Sequence, residues 1–148
     1  MATTRIIPMH VIKGQTIEQT VHTRTRYAIN PDKTNQGNLV SSFGCDPKTA
    51  AAEMLLCKRQ YETVSGHCDE KKSDIMLYQI RQSFKPGEVS AENALEIGRE
   101  LASRFTKDKY QYIVMTHVDH AHIHSISCST AIDCSREFCN FLGSNQAI

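Results

Sequence analysis

The alternation of apolar and polar positions along the chain predicts five strands and three helices. The predicted strands, which are rich in apolar and β-branched residues, span 5–12, 39–45, 74–84, 110–117 and 121–129. The predicted helices, in which apolar residues recur every three or four positions, span 17–29, 47–64 and 91–105. This order predicts an α+β fold, in which a mostly antiparallel sheet of about five strands is flanked by helices.

Local signals fix several ends of these elements. Thr16 and Ser90 are expected to cap the first and third helices, because hydroxyl side chains accept hydrogen bonds from the first turn. The pair Asp46-Pro47 predicts the start of the second helix, with aspartate as the cap and proline in the first turn. Pro8 predicts that the first strand lies at an edge of the sheet, because proline has no N–H to donate to a neighbour.

Composition indicates one domain covering residues 1–148. The chain is 40% apolar and 22% charged, which is ordinary for a globular protein, and no apolar run reaches the roughly 18 residues of a membrane span. The six cysteines form no C-x-x-C pair and the N-terminus resembles no signal peptide, so we expect reduced thiols in the cytoplasm. The net charge of +1 is uninformative, but residues 1–40 are the basic end of the chain.

Histidines are concentrated in one stretch. Four of the seven fall within residues 117–124. His122 and His124 are two apart on a predicted strand, so they are expected to face the same way and, with His117, to form a metal site. Asp119 is expected either to bind the metal or to orient a histidine ring from behind it. The stretch by itself names no reaction.

Tyr27 is the most distinctive of the five tyrosines. It follows Arg24 and Arg26 at the end of a predicted helix and precedes a loop that contains Lys33 and Thr34. A phenol is a weak nucleophile at neutral pH unless a base or cation helps it. Spacing alone therefore leaves a packing role and a nucleophilic role both open.

Four stretches carry a resemblance to a known family. They are residues 27–34 (Tyr-Ala-Ile-Asn-Pro-Asp-Lys-Thr), 57–61, 78–88 and 116–124, and residues 133–134 and 138–144 are similar as well. In this order they resemble the N-terminal nuclease domain of mobilisation relaxases, the MobA/VirD-type branch of the HUH endonucleases.

The resemblance implies nicking of single-stranded DNA at the origin of transfer of a plasmid or integrative element, with accessory mobilisation proteins as partners. It implies Tyr27 as the nucleophile and His117, His122 and His124 as ligands of a divalent cation such as Mg or Mn, with Asp119 behind them. The expected DNA contacts are Arg24, Arg26, Lys33, Thr34, Arg81 and Ser83.

The chain departs from the family pattern at three points. Ile126 stands where relatives often carry their last histidine ligand, so either His122 takes a ligand position or the site has one ligand fewer. Gln79 stands where relatives commonly carry histidine. The chain ends at Ile148, whereas such proteins usually continue, so we expect that it is a fragment of a longer protein. Two other hypotheses are a catalytically impaired domain that still binds single-stranded DNA and a small metalloprotein unrelated to DNA.

Overall fold

The strands and helices follow one another in the predicted order. The computed structural model describes residues 2–66, 75–119 and 122–132, with the side chains of 75–76 and 122–131 left aside. The elements in these ranges are β1 (Thr3–His10), α1 (Ile17–Ala28), β2 (Val40–Phe43), α2 (Ala50–Ser65), β3 (Ile75–Ser83), α3 (Ala91–Thr106), β4 (Tyr110–His117) and β5 (His122–Ala131). The predicted α+β class is confirmed.

The strands of the described ranges form one sheet in the order β1-β3-β5-β4-β2, and every neighbouring pair is antiparallel. β1 lies at an edge, as Pro8 predicts. β5 is the central strand and β4 is one of its two neighbours; the histidine stretch runs from the end of β4 into β5. Consecutive in sequence, they run side by side, and His117 pairs with His122 where the chain turns from one to the other.

Helices cover both faces of the sheet. Alternate residues of β4 belong to different cores, since Ile113 and Met115 pack with α1 and α2, whereas Tyr112 and Val114 pack with α3. All four side chains are buried. The face under α1 and α2 continues to His117, because residues two apart on a strand share a face. The candidate site therefore lies on the α1 side of the sheet.

The caps of α1 and α3 form as predicted. The Thr16 hydroxyl accepts from the Gln19 N–H at 3.2 Å, and the Gln19 side chain accepts from the Thr16 N–H at 3.0 Å, a reciprocal capping box. Ser90 accepts from the Asn93 N–H in the same way. The first cap anchors the helix whose last turn carries Tyr27.

The predicted start of α2 is wrong by about one turn. Asp46 does not cap the helix; its carboxylate accepts from the Lys48 N–H at 2.8 Å within a turn. Glu53 reaches back to accept from the Asp46 N–H at 2.9 Å, and α2 begins at Ala50. These bonds stabilise a turn before the helix, so Pro47 lies outside it.

No helix in the described part of the chain is long and apolar enough to cross a membrane.

Shortening Ile113 is expected to destabilise the fold strongly, because its side chain is 0% exposed at the centre of the α1–α2 face. We predict that Ile113→Ala lowers the free energy of unfolding by about 2–5 kcal/mol, the usual cost of a large-to-small change in a core. Urea denaturation measures the change. Val64→Ala, at a position on α2 that is 80% exposed, is the control and is expected to shift stability by less than about 0.5 kcal/mol. Equal effects of the two changes would contradict the assigned core.

Candidate active site

Tyr27 projects from the last turn of α1 into solvent. The helix buries Val21, Thr25 and Ala28 against the rest of the domain. The Tyr27 side chain, on a different side of the helix, is 56% exposed. A large aromatic group so exposed contributes little to the core, and its phenolic oxygen is accessible to a ligand.

His117, at the end of β4, lies directly beside Tyr27. The two rings meet edge to face, with centroids 5.9 Å apart and planes at 80°. The imidazole is 3% exposed, and its Nε2 lies 3.0 Å from the carbonyl oxygen of Ala28. A carbonyl only accepts, so Nε2 carries the proton and, in the neutral ring, the lone pair is on Nδ1.

Lys33 also contacts the phenol of Tyr27. Its ammonium donates a hydrogen bond to the Tyr27 hydroxyl at 3.0 Å and lies 4.5 Å from the centre of the ring. The same ammonium lies 3.4 Å from a carboxylate oxygen of Asp119. The hydrogen bond to Tyr27, followed by the charge of Asp119, raises the pKa of Lys33 above its ordinary value, so the side chain stays an ammonium at neutral pH.

The loop between α1 and β2 fastens this arrangement to the end of β4. The Val118 N–H donates to the carbonyl oxygen of Lys33 at 2.9 Å, and the Thr116 N–H donates to that of Leu39 at 3.1 Å. His117, which lies between the two donors, is thereby fixed relative to the loop. The helix that carries Tyr27 and the strand that carries His117 are joined through two backbone hydrogen bonds.

A cavity of about 240 Å³ opens beside these two rings. Its walls come from β1, α1, β3 and β4 and include Arg24, Tyr27, Gln79 and His117. The Nε of Arg24 is buried, and no hydrogen-bond acceptor among the described residues contacts it. A buried guanidinium nitrogen without an acceptor is costly, and an oxygen of a bound anion satisfies it.

The two remaining predicted ligands belong to β5, where the structure describes the backbone alone. His122 pairs with His117 on one side and with Ser83 on the other. His124 pairs with Met115 and with Arg81. The three histidines therefore occupy neighbouring positions at one end of the sheet, next to α1. The described side chains contain no cluster of three or more metal-binding groups.

Comparison with known proteins assigns the family. The family described as "Relaxase: MobA/VirD2-like, nuclease domain" matches residues 27–141. The match begins at Tyr27 and runs through the histidine stretch. The chain belongs to this relaxase family. The resemblance noted in the sequence is thereby confirmed.

Two relatives show the extent of the similarity. The group II intron-interrupted relaxase LtrB of Lactococcus lactis subsp. cremoris (strain MG1363) is 30% identical over 117 residues, 67% of this chain and 21% of that protein. A Staphylococcus aureus protein named rlx is 46% identical over 55 residues, 37% of this chain and 17% of that protein. The chain thus spans about a fifth of the length of the relaxase LtrB.

Most residues expected to serve the relaxase site lie around Tyr27. Arg26 is exposed on α1 and lines a surface hollow with Tyr27 and His22. Arg81 and Ser83 are half-buried on β3, in the strand positions paired with His124 and His122. The predicted DNA contacts on α1 and β3 therefore lie at the same end of the sheet as His117.

Thr34 is placed differently from the other residues expected to contact DNA. Its side chain is 0% exposed, and its hydroxyl donates to the carbonyl oxygen of Asn30 at 2.9 Å. The loop that follows Tyr27 folds over this residue, so the hydroxyl satisfies the backbone of the loop and does not face solvent. Thr34 shapes the segment that presents Lys33.

Asp119 pairs its carboxylate with Lys33, and its expected role, as a metal ligand or in orienting a histidine, stays a prediction. Sequence reasoning missed this contact and the role of Gln79 in lining the cavity. The six-residue spacing of Tyr27 and Lys33 across an Asn-Pro turn was a usable signal for their contact, but nothing in the sequence pairs either residue with Asp119.

Removing the Thr34 hydroxyl is expected to weaken the loop beneath Lys33. We predict that Thr34→Val, which keeps the side-chain volume, lowers the free energy of unfolding by about 1 kcal/mol through loss of the buried hydrogen bond. Thr63→Val is a matched control, because the Thr63 hydroxyl donates to the Arg59 carbonyl four residues back on an exposed helix surface. That control is expected to stay within about 0.5 kcal/mol of the wild type in urea denaturation. A Thr34 variant as stable as the control would contradict the structural role.

Proposed function

We propose that residues 1–148 form one relaxase nuclease domain that nicks single-stranded DNA at an origin of transfer, for mobilisation of a plasmid or integrative element. The observation that carries the proposal is the setting of Tyr27. Its exposed phenol lies against His117, accepts a hydrogen bond from Lys33 and borders a cavity with a buried Arg24 nitrogen. An accessible hydroxyl surrounded by cationic groups suits attack on a phosphodiester.

In the proposed reaction, the phenol of Tyr27 loses its proton to solvent and its oxygen bonds to the phosphorus. The bond from phosphorus to the 3′ oxygen breaks, and the electron pair leaves with that oxygen, which takes up a proton to become a free 3′ hydroxyl. The 5′ phosphate stays joined to Tyr27. In the reverse direction, the 3′ hydroxyl attacks and the phenolate leaves, so the strand is rejoined.

His117, His122 and His124 would hold a divalent cation, such as Mg or Mn. The tautomer of His117 fits this role, since ligating histidines usually donate their other ring N–H to a carboxylate or backbone carbonyl, as Nε2 does to Ala28. The backbone pairing of His122 with His117 supports the set as well. When bound, the cation polarises a phosphoryl oxygen.

Single-stranded DNA would cross the same end of the sheet. Arg24 and Arg26 on α1, with Arg81 on β3, are candidates to neutralise its phosphates, and Ser83 is a candidate to donate a hydrogen bond to the strand. Accessory mobilisation proteins would complete the assembly at the origin. Such a substrate would account for the cationic side chains of Arg24, Arg26 and Lys33 beside Tyr27 in a chain whose net charge is only +1.

A second candidate function is a DNA-binding domain without turnover. The observation that favours it is Ile126, where relatives often carry a histidine. Ile126 pairs with Ile113, whose side chain is fully buried, and with Gln79 on the other side. Whether His122 takes a ligand position beside His117 and His124 would then decide between a working nuclease and an impaired one.

The proposed function predicts a covalent protein–DNA adduct. Labelled single-stranded DNA carrying the origin of transfer is incubated with the protein and Mn or Mg, then run on a denaturing gel. We expect an adduct with the wild type that disappears with a chelator and returns when the cation is restored. Tyr27→Phe is expected to lower adduct formation below detection while DNA binding persists, because phenylalanine keeps the ring and lacks the reacting oxygen.

Tyr61→Phe is the control, since Tyr61 is a half-buried residue of α2 away from the cavity, and it is expected to form the adduct normally. Retained binding with no adduct from the wild type would refute the nuclease and support the impaired domain. An undiminished adduct with Tyr27→Phe would refute the nucleophile.

Binding to the DNA strand is expected to depend on salt. Each phosphate contact on single-stranded DNA contributes about 0.7 to the slope of log K against log salt, because counterions are released. We predict that Arg26→Ala weakens binding and lowers this slope by about 0.7. Fluorescence anisotropy with a labelled oligonucleotide over a salt series gives both values.

Arg104→Ala is the matched control, because Arg104 lies on α3, on the opposite face of the sheet, and pairs with Glu100. Its affinity and slope are expected to equal those of the wild type. An identical loss in both arginine variants would mean that binding follows total charge and not the surface around Tyr27.

A further inference from the structure

The ammonium of Lys33 makes a more specific contact than a general DNA-binding role requires. It bonds to the phenolic oxygen of Tyr27 at 3.0 Å, and that oxygen is the reacting atom of the proposed function. A lysine that served only to attract phosphate would gain nothing from this bond, since an exposed ammonium reaches solvent anions freely. The contact directs positive charge at one oxygen.

Contacts to both the main chain and the side chain of Lys33 fix the position of its ammonium. The backbone carbonyl of Lys33 accepts from the Val118 N–H at 2.9 Å, and the side chain pairs with Asp119, the next residue along, at 3.4 Å. The segment that follows His117 thus holds the main chain and the charged end of Lys33 together. With both ends held, the side chain loses less freedom when it contacts Tyr27.

We propose that Lys33 is a catalytic residue that stabilises negative charge on the Tyr27 oxygen, and that Asp119 is a positioning residue that holds Lys33 in place. This inference rests on the proposed function. The phenolic oxygen carries negative charge before it bonds to phosphorus, and again when it leaves during rejoining. Lys33 keeps all its protons in both directions and acts through its hydrogen bond, as donors aimed at a developing oxyanion do. The raised pKa of Lys33 agrees with this, because the group stays charged.

The test separates the chemical step from DNA binding. Single-turnover adduct formation is measured at saturating origin DNA, and the dissociation constant is measured separately by anisotropy. We expect Lys33→Met, which keeps the chain length and removes the charge, to slow adduct formation about 100-fold while changing the dissociation constant less than about threefold. Lys33→Arg, which keeps a cationic donor, is expected to recover at least a tenth of the wild-type rate.

Lys109→Met is the matched control, an exposed lysine just before β4 at the end of that strand away from His117, and it is expected to react like the wild type. Circular dichroism and retained DNA binding show that each variant is folded. Should Lys33→Met instead weaken binding, lower the salt slope by about 0.7 and react at the wild-type rate when saturated, Lys33 is a phosphate contact and the proposal fails.

Asp119 is tested with a double-mutant cycle. If it acts through Lys33, Asp119→Asn slows the wild type severalfold but adds nothing to Lys33→Met, because the interaction it supports is already gone. Independent losses that multiply, together with a higher cation requirement for Asp119→Asn, would instead assign Asp119 to the metal site and overturn its positioning role.

Failure of the proposed function and failure of the Lys33 role give different results. A wild type that forms no adduct refutes the proposed function itself, and the role of Lys33 with it. An active wild type beside an equally active Lys33→Met refutes the role of Lys33 alone.

Discussion

The arrangement of the site depends on how the loop after α1 is bonded to the end of β4. Thr116 and Val118 donate backbone hydrogen bonds to Leu39 and Lys33, so the strand end and the loop form one unit around His117. Main-chain donors removed from solvent must find acceptors, and here the acceptors belong to the loop that follows the helix carrying Tyr27. These two bonds act together with the bond between His117 Nε2 and the Ala28 carbonyl, which ties the end of α1 to the end of β4.

In the same region, some residues are buried and stabilise the backbone, whereas Tyr27 is exposed to solvent. Thr34 and His117 are buried and bonded to backbone carbonyls of Asn30 and Ala28, at the end of α1. Tyr27, one residue before Ala28, stays 56% exposed. The buried pair fixes the backbone, and the exposed phenol is presented on that fixed backbone. The proposed reaction at Tyr27 would benefit from this arrangement, because a group that is already held in place need not be oriented during the reaction.

Much of the fold could be predicted from the sequence because its signals are local. Thr16 and Ser90 cap α1 and α3 as expected, and the apolar run of 110–117 matches β4. Asp46-Pro47 misled because Glu53, seven residues on, bonds back to Asp46 and stabilises a turn where the dipeptide pattern predicts a helix. A capping signal reflects the conformational preference of a few neighbouring residues. It does not show whether a residue further along the chain, such as Glu53, bonds to the same segment and stabilises a turn instead.

The site was less predictable because its contacts join distant segments. Tyr27 and His117 were linked through the family resemblance, and spacing alone left the tyrosine open to a packing role. The pairing of Lys33 with Asp119 had no sequence signal, since it depends on the loop meeting the end of β4. Thr34 was expected to contact DNA because its motif resembles that of the family, whereas its hydroxyl has a backbone acceptor and its side chain is buried.

The most direct measurement of the central claim is the site of DNA attachment in the protein. Trypsin cleaves after Arg26 and Lys33, so residues 27–33 form one peptide with Tyr27 as its single tyrosine. After reaction with origin DNA and nuclease trimming, mass spectrometry should find the nucleotide phosphate on this peptide, with fragments that assign it to Tyr27. Attachment to a peptide that contains Tyr61, Tyr78, Tyr110 or Tyr112 would contradict the account.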